Sequence, residues 1–430
     1  MGFSDKRSRR VGLLVYNTVA DDPRVRRQGD AFHQAGWQVV ASGLPGGRAD
    51  PPVWMKKPVV RTAERSTFQS NVLKVETAVR NFRPAKIAFS LLRLLTRTMP
   101  HRVLQLSYHA LVAFRPAAAF DFFWKIMPEA QLIYEEAAIS GADVWIANDW
   151  NTLPVAMRLQ DKLGGEIVYD THEFAIDEYN QRLLWRVLRK PLVREIEARG
   201  ISNAAAVMTV SKGIAVGLQA AYGLQREPDV VRNTPSYEQA FDHEITENFK
   251  ILYHGVVAPG RGLELCIEAA SLWREGITFS IRGPVASGYK SQLLSLIKKW
   301  GVEGKVELLE PVPMPDLVSE AAPFDIGLFA LPGHSKHNQY ALPNKLFEYI
   351  MAGLCVCISD LPEMKRIVEE TGAGLIIANE TPEAIAQAID GLDVETVIRH
   401  RAGARMAAEQ LCWENESKKL LEIAERAICE

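Results

Sequence analysis

Short apolar runs separated by longer amphipathic stretches recur along most of the 430 residues. Val11–Tyr16 reads as a buried strand. Asp22 then caps a helix with Pro23 in its first turn, Gly36 ends it, and Trp37–Ser42 returns as a strand. That order predicts parallel strands joined by helical crossovers. The rhythm is lost between Gly43 and Ala130. It resumes with a helix over Gln131–Gly141, a helix over Leu153–Leu163, and strands at Val144–Ala147, Glu166–Tyr169, Ala204–Val210 and Val230–Arg232. The polar stretch Ser236–Asn248 reads as a linker. Beyond it, strands are predicted at Phe249–His254, Ile277–Arg282, Val306–Leu309, Ile326–Ala330, Cys355–Ser359 and Leu375–Ile377, with helices between and after them. The pattern predicts an α/β protein of two doubly wound, Rossmann-like domains facing a cleft. The first spans 1–237 with an insertion at about 50–130, the second spans 248–405, and a final helix occupies 406–430.

Composition changes this picture little. A hydrophobic fraction of 47% suits two soluble cores, and a formal net charge of −2 argues against a nucleic-acid partner. The charge is uneven, however. Residues 51–129 carry thirteen Lys/Arg against four Asp/Glu, a block of +9 that leaves −11 for the rest. Within it, Lys86, Ser90, Arg93 and Arg97 form one stripe of an amphipathic segment, with aromatics following between Tyr108 and Trp124. Such a segment can lie on an anionic membrane, which makes residues 83–125 a candidate membrane-facing surface; its helices can equally pack on the first domain with their cations in water. The five cysteines lack paired zinc spacing, and no apolar run is long enough to span a bilayer. Reduced thiols and a cytoplasmic location, with peripheral attachment at the inner face of the plasma membrane, are expected.

In open parallel sheets, ligands bind beyond the carboxyl ends of the strands. That rule selects Tyr16-Asn17, Asn148-Asp149-Trp150, Asp170-Thr171-His172-Glu173, Ser211 and Asn233 in the first half, and Gly255, Arg282-Gly283-Pro284, Pro311-Val312 and the loop from Leu331 to Leu342 in the second. After that loop, Pro343 suits a first helical turn, and Asn344, Lys345 and Glu348 share a face. An open helix start plus Lys345 would hold a diphosphate, and Glu348 would accept from two ribose hydroxyls. The same spacing suits a surface pair between Lys345 and Glu348; the segment alone leaves both open. The turn from Gly255 to Gly262 lets backbone N–H groups approach a phosphate beside Arg261, yet it fits neither GxGxxG nor GxxxxGK[ST]. His172 suits either a hydrogen-bond donor at a cleft or a structural role, and Asp149 either orients a hydroxyl or caps a helix. Asp360 and Glu363 read as a capping box.

Taken in order, Asp22-Pro23-Arg24-Val25, Tyr169-Asp170-Thr171-His172-Glu173, Val230-Val231-Arg232-Asn233, Tyr253-His254-Gly255 with Arg261-Gly262, Gly283, and Pro343-Asn344-Lys345-Leu346-Phe347-Glu348-Tyr349 resemble the large family of retaining GT-B glycosyltransferases usually called family 4. The resemblance runs from about Val11 to the end, except Gly43–Ala130. It implies sugar transfer from a nucleoside-diphosphate sugar, UDP- or GDP-linked, to a hydroxyl of a carbohydrate or lipid-linked acceptor, with retention, in cell-surface polysaccharide or glycolipid synthesis. It implies no cofactor and no metal. Glu348 would bind ribose, and Gly255, Arg261, Gly283, Val312, Tyr340, Ala341, Leu342, Asn344 and Lys345 would line the donor site. His172, Arg261 and Lys345 would be the catalytic set, and Asn17, Arg24, Asp149, His172 and Glu173 would face the acceptor. The chain departs from the family at three places: Tyr340 replaces a glutamate, Val256 replaces one of two cations, and the loop Asn17–Asp21 lacks a double glycine. A nucleotide-sugar-binding protein without transfer and a nucleotide-sugar epimerase of the same architecture stand as alternatives.

Overall fold

A computed structural model of the chain describes residues 8–47, 49–55, 101–241 and 243–429. The stripe Lys86, Ser90, Arg93 and Arg97 lies outside the described residues. Two parallel six-stranded sheets form the frame. The first holds β1 (Arg10–Leu14), β2 (Gln38–Ser42), β3 (Val144–Asn148), β4 (Glu166–Thr171), β5 (Ala206–Thr209) and β6 (Asp229–Val230). The second holds β7 (Lys250–His254), β8 (Thr278–Arg282), β9 (Val306–Leu309), β10 (Ile326–Phe329), β11 (Cys355–Ser359) and β12 (Gly374–Ile377). Their spatial orders are β2-β1-β3-β4-β5-β6 and β12-β11-β10-β7-β8-β9. Strand order therefore reverses between β1 and β3 and between β7 and β10. Crossovers leave on opposite faces there, and a crevice opens at the carboxyl ends.

Helices cover both faces of each sheet, which is why central strands such as β11 are apolar on both sides. Four of the cysteines (Cys266, Cys355, Cys357 and Cys412) are buried free thiols, and Cys429 is exposed. The helix Pro23–Gln34 starts as its sequence predicts: the Asp22 carboxylate accepts from the N–H groups of Arg24 (3.0 Å) and Val25 (3.1 Å). The helix Pro362–Thr371 does not use the capping box read from Asp360 and Glu363. Pro362 is its first residue, so the cap falls on Leu361; Asp360 pairs with Lys365 and Glu363 with Arg366.

The described part of the basic insertion packs on the first domain. Helices His101–Phe114, Ala119–Ile126 and Ala130–Ala137 bury Val112, Phe123 and Ile133 against Trp145 and Leu159. Their rings also carry cations: Lys125 lies over Tyr108 and Phe122, and Arg158 over Trp124 and Tyr134. The last helix, Trp413–Cys429, joins the core of the first sheet through Trp413, Leu420 and Ile423. Its Trp413 indole donates to the Arg27 carbonyl at 3.1 Å, and Glu416 accepts from the Arg232 N–H at 2.9 Å.

Candidate active site

At the carboxyl end of β7 the chain turns through Gly255, whose φ of +111° is open to glycine. Lys345, from the helix Asn344–Met351, lies along that turn; a Cβ on Gly255 would stand 3.4 Å from its Nζ. The ammonium sits between two rings, 4.0 Å from the centroids of both Tyr253 and Phe329. Among the described residues no carboxylate is paired with it. Burial and the neighbouring Arg261 hold its pKa well below the usual lysine range, with Glu348 opposing them. A largely desolvated cation beside a second cation is a place that favours an anion.

The backbone adds to this. Pro343 occupies the N-cap rather than the first turn, because its ψ of 144° is extended. It has no side-chain acceptor, so the first N–H groups of the helix lack a side-chain cap. Gly283 has φ +144°, and a Cβ there would lie 1.9 Å from the Gly255 carbonyl oxygen. Only glycine lets these two strand ends close together. Leu342 is buried and Ala341 and Asn344 are half-buried on the approach to the helix; Val312 is half-buried beyond β9, and Arg261 is exposed.

Glu348 lies one turn into that helix, 7% exposed. Its carboxylate is 3.0 Å from Nε2 of the buried His254, off the line of a well-formed hydrogen bond. His254 in turn donates its backbone N–H to the Tyr349 hydroxyl at 3.0 Å and stacks on that ring. Burial alone would raise the Glu348 pKa, but His254, then Arg27 and Lys345, outweigh it and hold the carboxyl ionised. Lys345 and Glu348 are thus not a surface pair. Arg27 comes from the opposite domain, where it donates to Asn233 at 2.7 Å. Its sequence signal was slight: it sits one turn beyond Arg24 at the start of a helix.

On the first domain, Asp170 is the centre of a buried knot. Arg24 grips it with two bonds, Nε at 2.9 Å and an Nη at 3.1 Å, and Gln28 donates at 2.5 Å. The rest of the Arg24 guanidinium donates to the carbonyls of Val231 and Arg232. Arg24 is 2% exposed, so this predicted acceptor-side residue is held inside the domain rather than at the cleft surface. His172 lies between two carboxylates, with Nε2 3.3 Å from Asp170 and Nδ1 3.3 Å from Asp149. Burial would lower its pKa, but Asp149 and Asp170 outweigh that and raise it well above the ordinary histidine value. The ring is therefore an imidazolium, a donor and not a base. Asp149 also accepts from the His172 N–H at 3.0 Å, and caps no helix with its side chain. Its φ of 62° and ψ of 161° are a backbone conformation costing roughly 1–3 kcal/mol for a non-glycine residue. Asn17 is exposed and donates to Asp22 at 3.4 Å.

The two domains touch across the cleft. Glu173 lies 3.0 Å from Nε2 of His337, and the Lys336 N–H donates to Asp177 at 3.1 Å. Burial and nearby acids raise the Glu173 pKa, although water reaches nearly half of its side chain; burial and Arg261 lower that of His337 to about 4. Tyr340 is part of the same contact. Its carbonyl accepts from Ser211 at 2.6 Å, and its ring meets Phe174 edge-on at 5.7 Å. Gly213 and Gly217 make room for that ring: a Cβ on Gly213 would stand 2.7 Å from it. The structure thus turns this predicted donor residue towards the other domain. Tyr340→Ala should empty that socket, loosening domain docking by about 1–3 kcal/mol and raising the radius of gyration in solution scattering. An unchanged scattering curve and melting temperature would contradict this role.

Among the described residues no group of three His, Cys, Asp or Glu is placed to hold a metal, and no helix is long and apolar enough to cross a membrane. Residues 248–392 match the profile of the family described as Glycosyl transferases group 1. No curated protein matches the chain. Solved structures do. Sucrose-phosphate synthase from Thermosynechococcus elongatus superimposes with a TM-score of 0.70 at 13% identity, covering 98% of this chain and 99% of that one. HepE from Anabaena, in complex with UDP-glucose, gives 0.64 at 13% identity over 96% and 98% of the two chains. A glycosyltransferase from Rickettsia africae gives 0.61 at 12% identity over 98% and 99%. At such identities the likeness establishes the GT-B fold predicted from the sequence.

Proposed function

We propose that the protein is a retaining glycosyltransferase that moves a sugar from a UDP- or GDP-sugar to a hydroxyl of a carbohydrate or lipid-linked acceptor. The observation that carries this is Lys345: a desolvated cation pressed between Tyr253 and Phe329, beside Gly255 and Arg261, at an uncapped helix start. A diphosphate there would meet two cations and several N–H groups. As the glycosidic bond breaks, negative charge grows on that leaving group, so the same contacts strengthen in the transition state. Glu348, held ionised by His254, would accept from ribose hydroxyls. Imidazolium His172 spends its two ring N–H groups on Asp149 and Asp170, so it serves the acceptor side by holding positive charge there and would donate to the sugar or acceptor only on leaving one of those carboxylates. Acceptor and product belong, on this reading, to cell-surface polysaccharide or glycolipid synthesis at the cytoplasmic face of the plasma membrane.

Thermal-shift titration with UDP-, GDP- and ADP-sugars, followed by product analysis with a panel of glycosides and lipid-linked sugars, tests the proposal. The expected result is nucleotide release that needs an acceptor and a product of unchanged anomeric configuration. Glu348→Gln should lower donor affinity by about tenfold and turnover with it. Conversion of the donor without acceptor would instead indicate an epimerase. Tight donor binding with no turnover across the panel would indicate a binding protein.

A further inference from the structure

Between Glu178 and Glu195 the chain has five cations (Arg182, Arg186, Arg189, Lys190 and Arg194) and no acid, within a protein whose net charge is −2. This run folds as a π-helical turn, Trp185–Arg189, leading into the helix Lys190–Asn203. Trp185 anchors the turn inside the domain. Its neighbours do the opposite: Leu183 is 63% exposed, Leu184 73% and Val187 53%. These three share one face, and Arg182, Arg186 and Arg189 flank them at the surface. Among the described residues none of those three arginines has a salt-bridge partner; Arg182 merely lies over the Tyr179 ring.

The helix His101–Phe114 packs beside this turn. Its buried His109 meets Leu188 and Arg189. At about 100° per residue, Leu106, Ala110, Leu111 and Phe114 fall on one outward arc. Leu106 and Leu111 are half exposed, and Phe114 is 92% exposed. Two adjoining elements thus present aliphatic and aromatic tips to water, ringed by arginines that make no salt bridge among the described residues, with Glu178 near enough to Arg189 to feel its charge.

We infer that this face, built from the outer arc of His101–Phe114 and the turn at 182–189, docks the protein on an anionic lipid bilayer. The charge pattern selects that occupant. Apolar tips reach the acyl boundary while flanking cations stay level with anionic headgroups. A second copy of the chain fits poorly, since a two-fold contact through this face would bring identical arginine clusters together. The surface differs from the segment 83–125 read from sequence. Only the part from His101 onward is shared, and the arginines come from a stretch some seventy residues later. This inference does not depend on the sugar-transfer reading, because vesicle binding needs no nucleotide sugar.

Sedimentation of the full chain with phosphatidylcholine vesicles, and with vesicles that also contain phosphatidylglycerol, provides the test. Binding should require the anionic lipid and weaken with added salt. Arg182→Glu/Arg186→Glu should reduce the partition coefficient by roughly tenfold or more. Leu183→Ser/Leu184→Ser should reduce it at unchanged charge; both pairs are exposed, so near-ultraviolet circular dichroism should stay that of the parent. The inference is overturned if the unaltered chain stays in the supernatant with anionic vesicles, if both folded variants bind as well as the parent, or if the leucine variant only dissociates a dimer.

Discussion

Lys345→Met should make the ligand-free protein more stable while nearly abolishing its response to a nucleoside diphosphate. The two effects share one cause. The Lys345 ammonium is buried between Tyr253 and Phe329, and the carboxylate that acts on it, Glu348, is engaged with His254. Holding an ammonium there costs solvation that the two rings only partly replace. Methionine keeps the unbranched length and packs against the same rings without the charge. A gain of about 1–2 kcal/mol in urea unfolding of the free protein is expected. On the proposed reading, loss of a charge-assisted contact to phosphate should weaken UDP binding by about 2–3 kcal/mol, and lower kcat/KM by roughly 10²–10³. The pH dependence has a definite sign. Since the folded-state pKa of Lys345 lies below its ordinary value of 10.5, the unfolded chain binds more protons between the two values. The penalty is complete below the folded-state value and fades as pH rises towards 10.5. The stability gap between parent and variant should close over that range. A variant less stable than the parent that retains its UDP-induced shift in Tm would rule out this view of Lys345.

Local signals carried much of the fold. β9 and β11 have the bounds their apolar runs predict, as does the helix Leu153–Leu163. Each is a stretch whose period and end signals agree. Lys345 and Glu348 stand out in the sequence because a proline-led helix start is a local pattern, and the helix is found with Pro343 at its N-cap. What escaped was set by distance in the chain. Arg24 and Asp170 are 146 residues apart, and nothing near Arg24 shows that its partner is a strand end in the same sheet. Tyr340 reads as a loop residue near a ligand; only the fold shows Gly213 and Gly217 opposite it. Arg27 and His337 matter because the domains meet, a fact no window of sequence contains. The exposure of the Leu183-Leu184 pair likewise follows from the turn around Trp185, which no local pattern marks.

Asp170→Asn should cost about 3–5 kcal/mol of stability, the largest loss expected from any change of a single functional group at this cleft. Asparagine keeps the shape but leaves Arg24, 2% exposed, with no counter-charge. It also takes from His172 one of its two carboxylates. The linkage has two opposite arms. Burial would raise the Asp170 pKa, but Arg24 and His172 bring it from 3.8 to about 2, so its stabilising effect is complete above 3.8 and lost as pH falls through about 2. The His172 pKa is raised, so its contribution is complete below its ordinary 6.5 and lost as pH climbs through the higher folded-state value. Between those arms the knot is fully charged, and the parent should show a broad plateau of stability from weakly acidic to neutral pH. The variant should lose the acid arm and shift the His172 imidazole titration downwards in NMR. A His172 left with only Asp149 then reaches its neutral form nearer physiological pH, where it no longer offers two donors. Turnover of the variant should accordingly fall more steeply with rising pH than that of the parent. An Asp170→Asn protein that unfolds at the parent's urea midpoint, with the His172 titration unmoved, would show that the knot does not act as one charged unit.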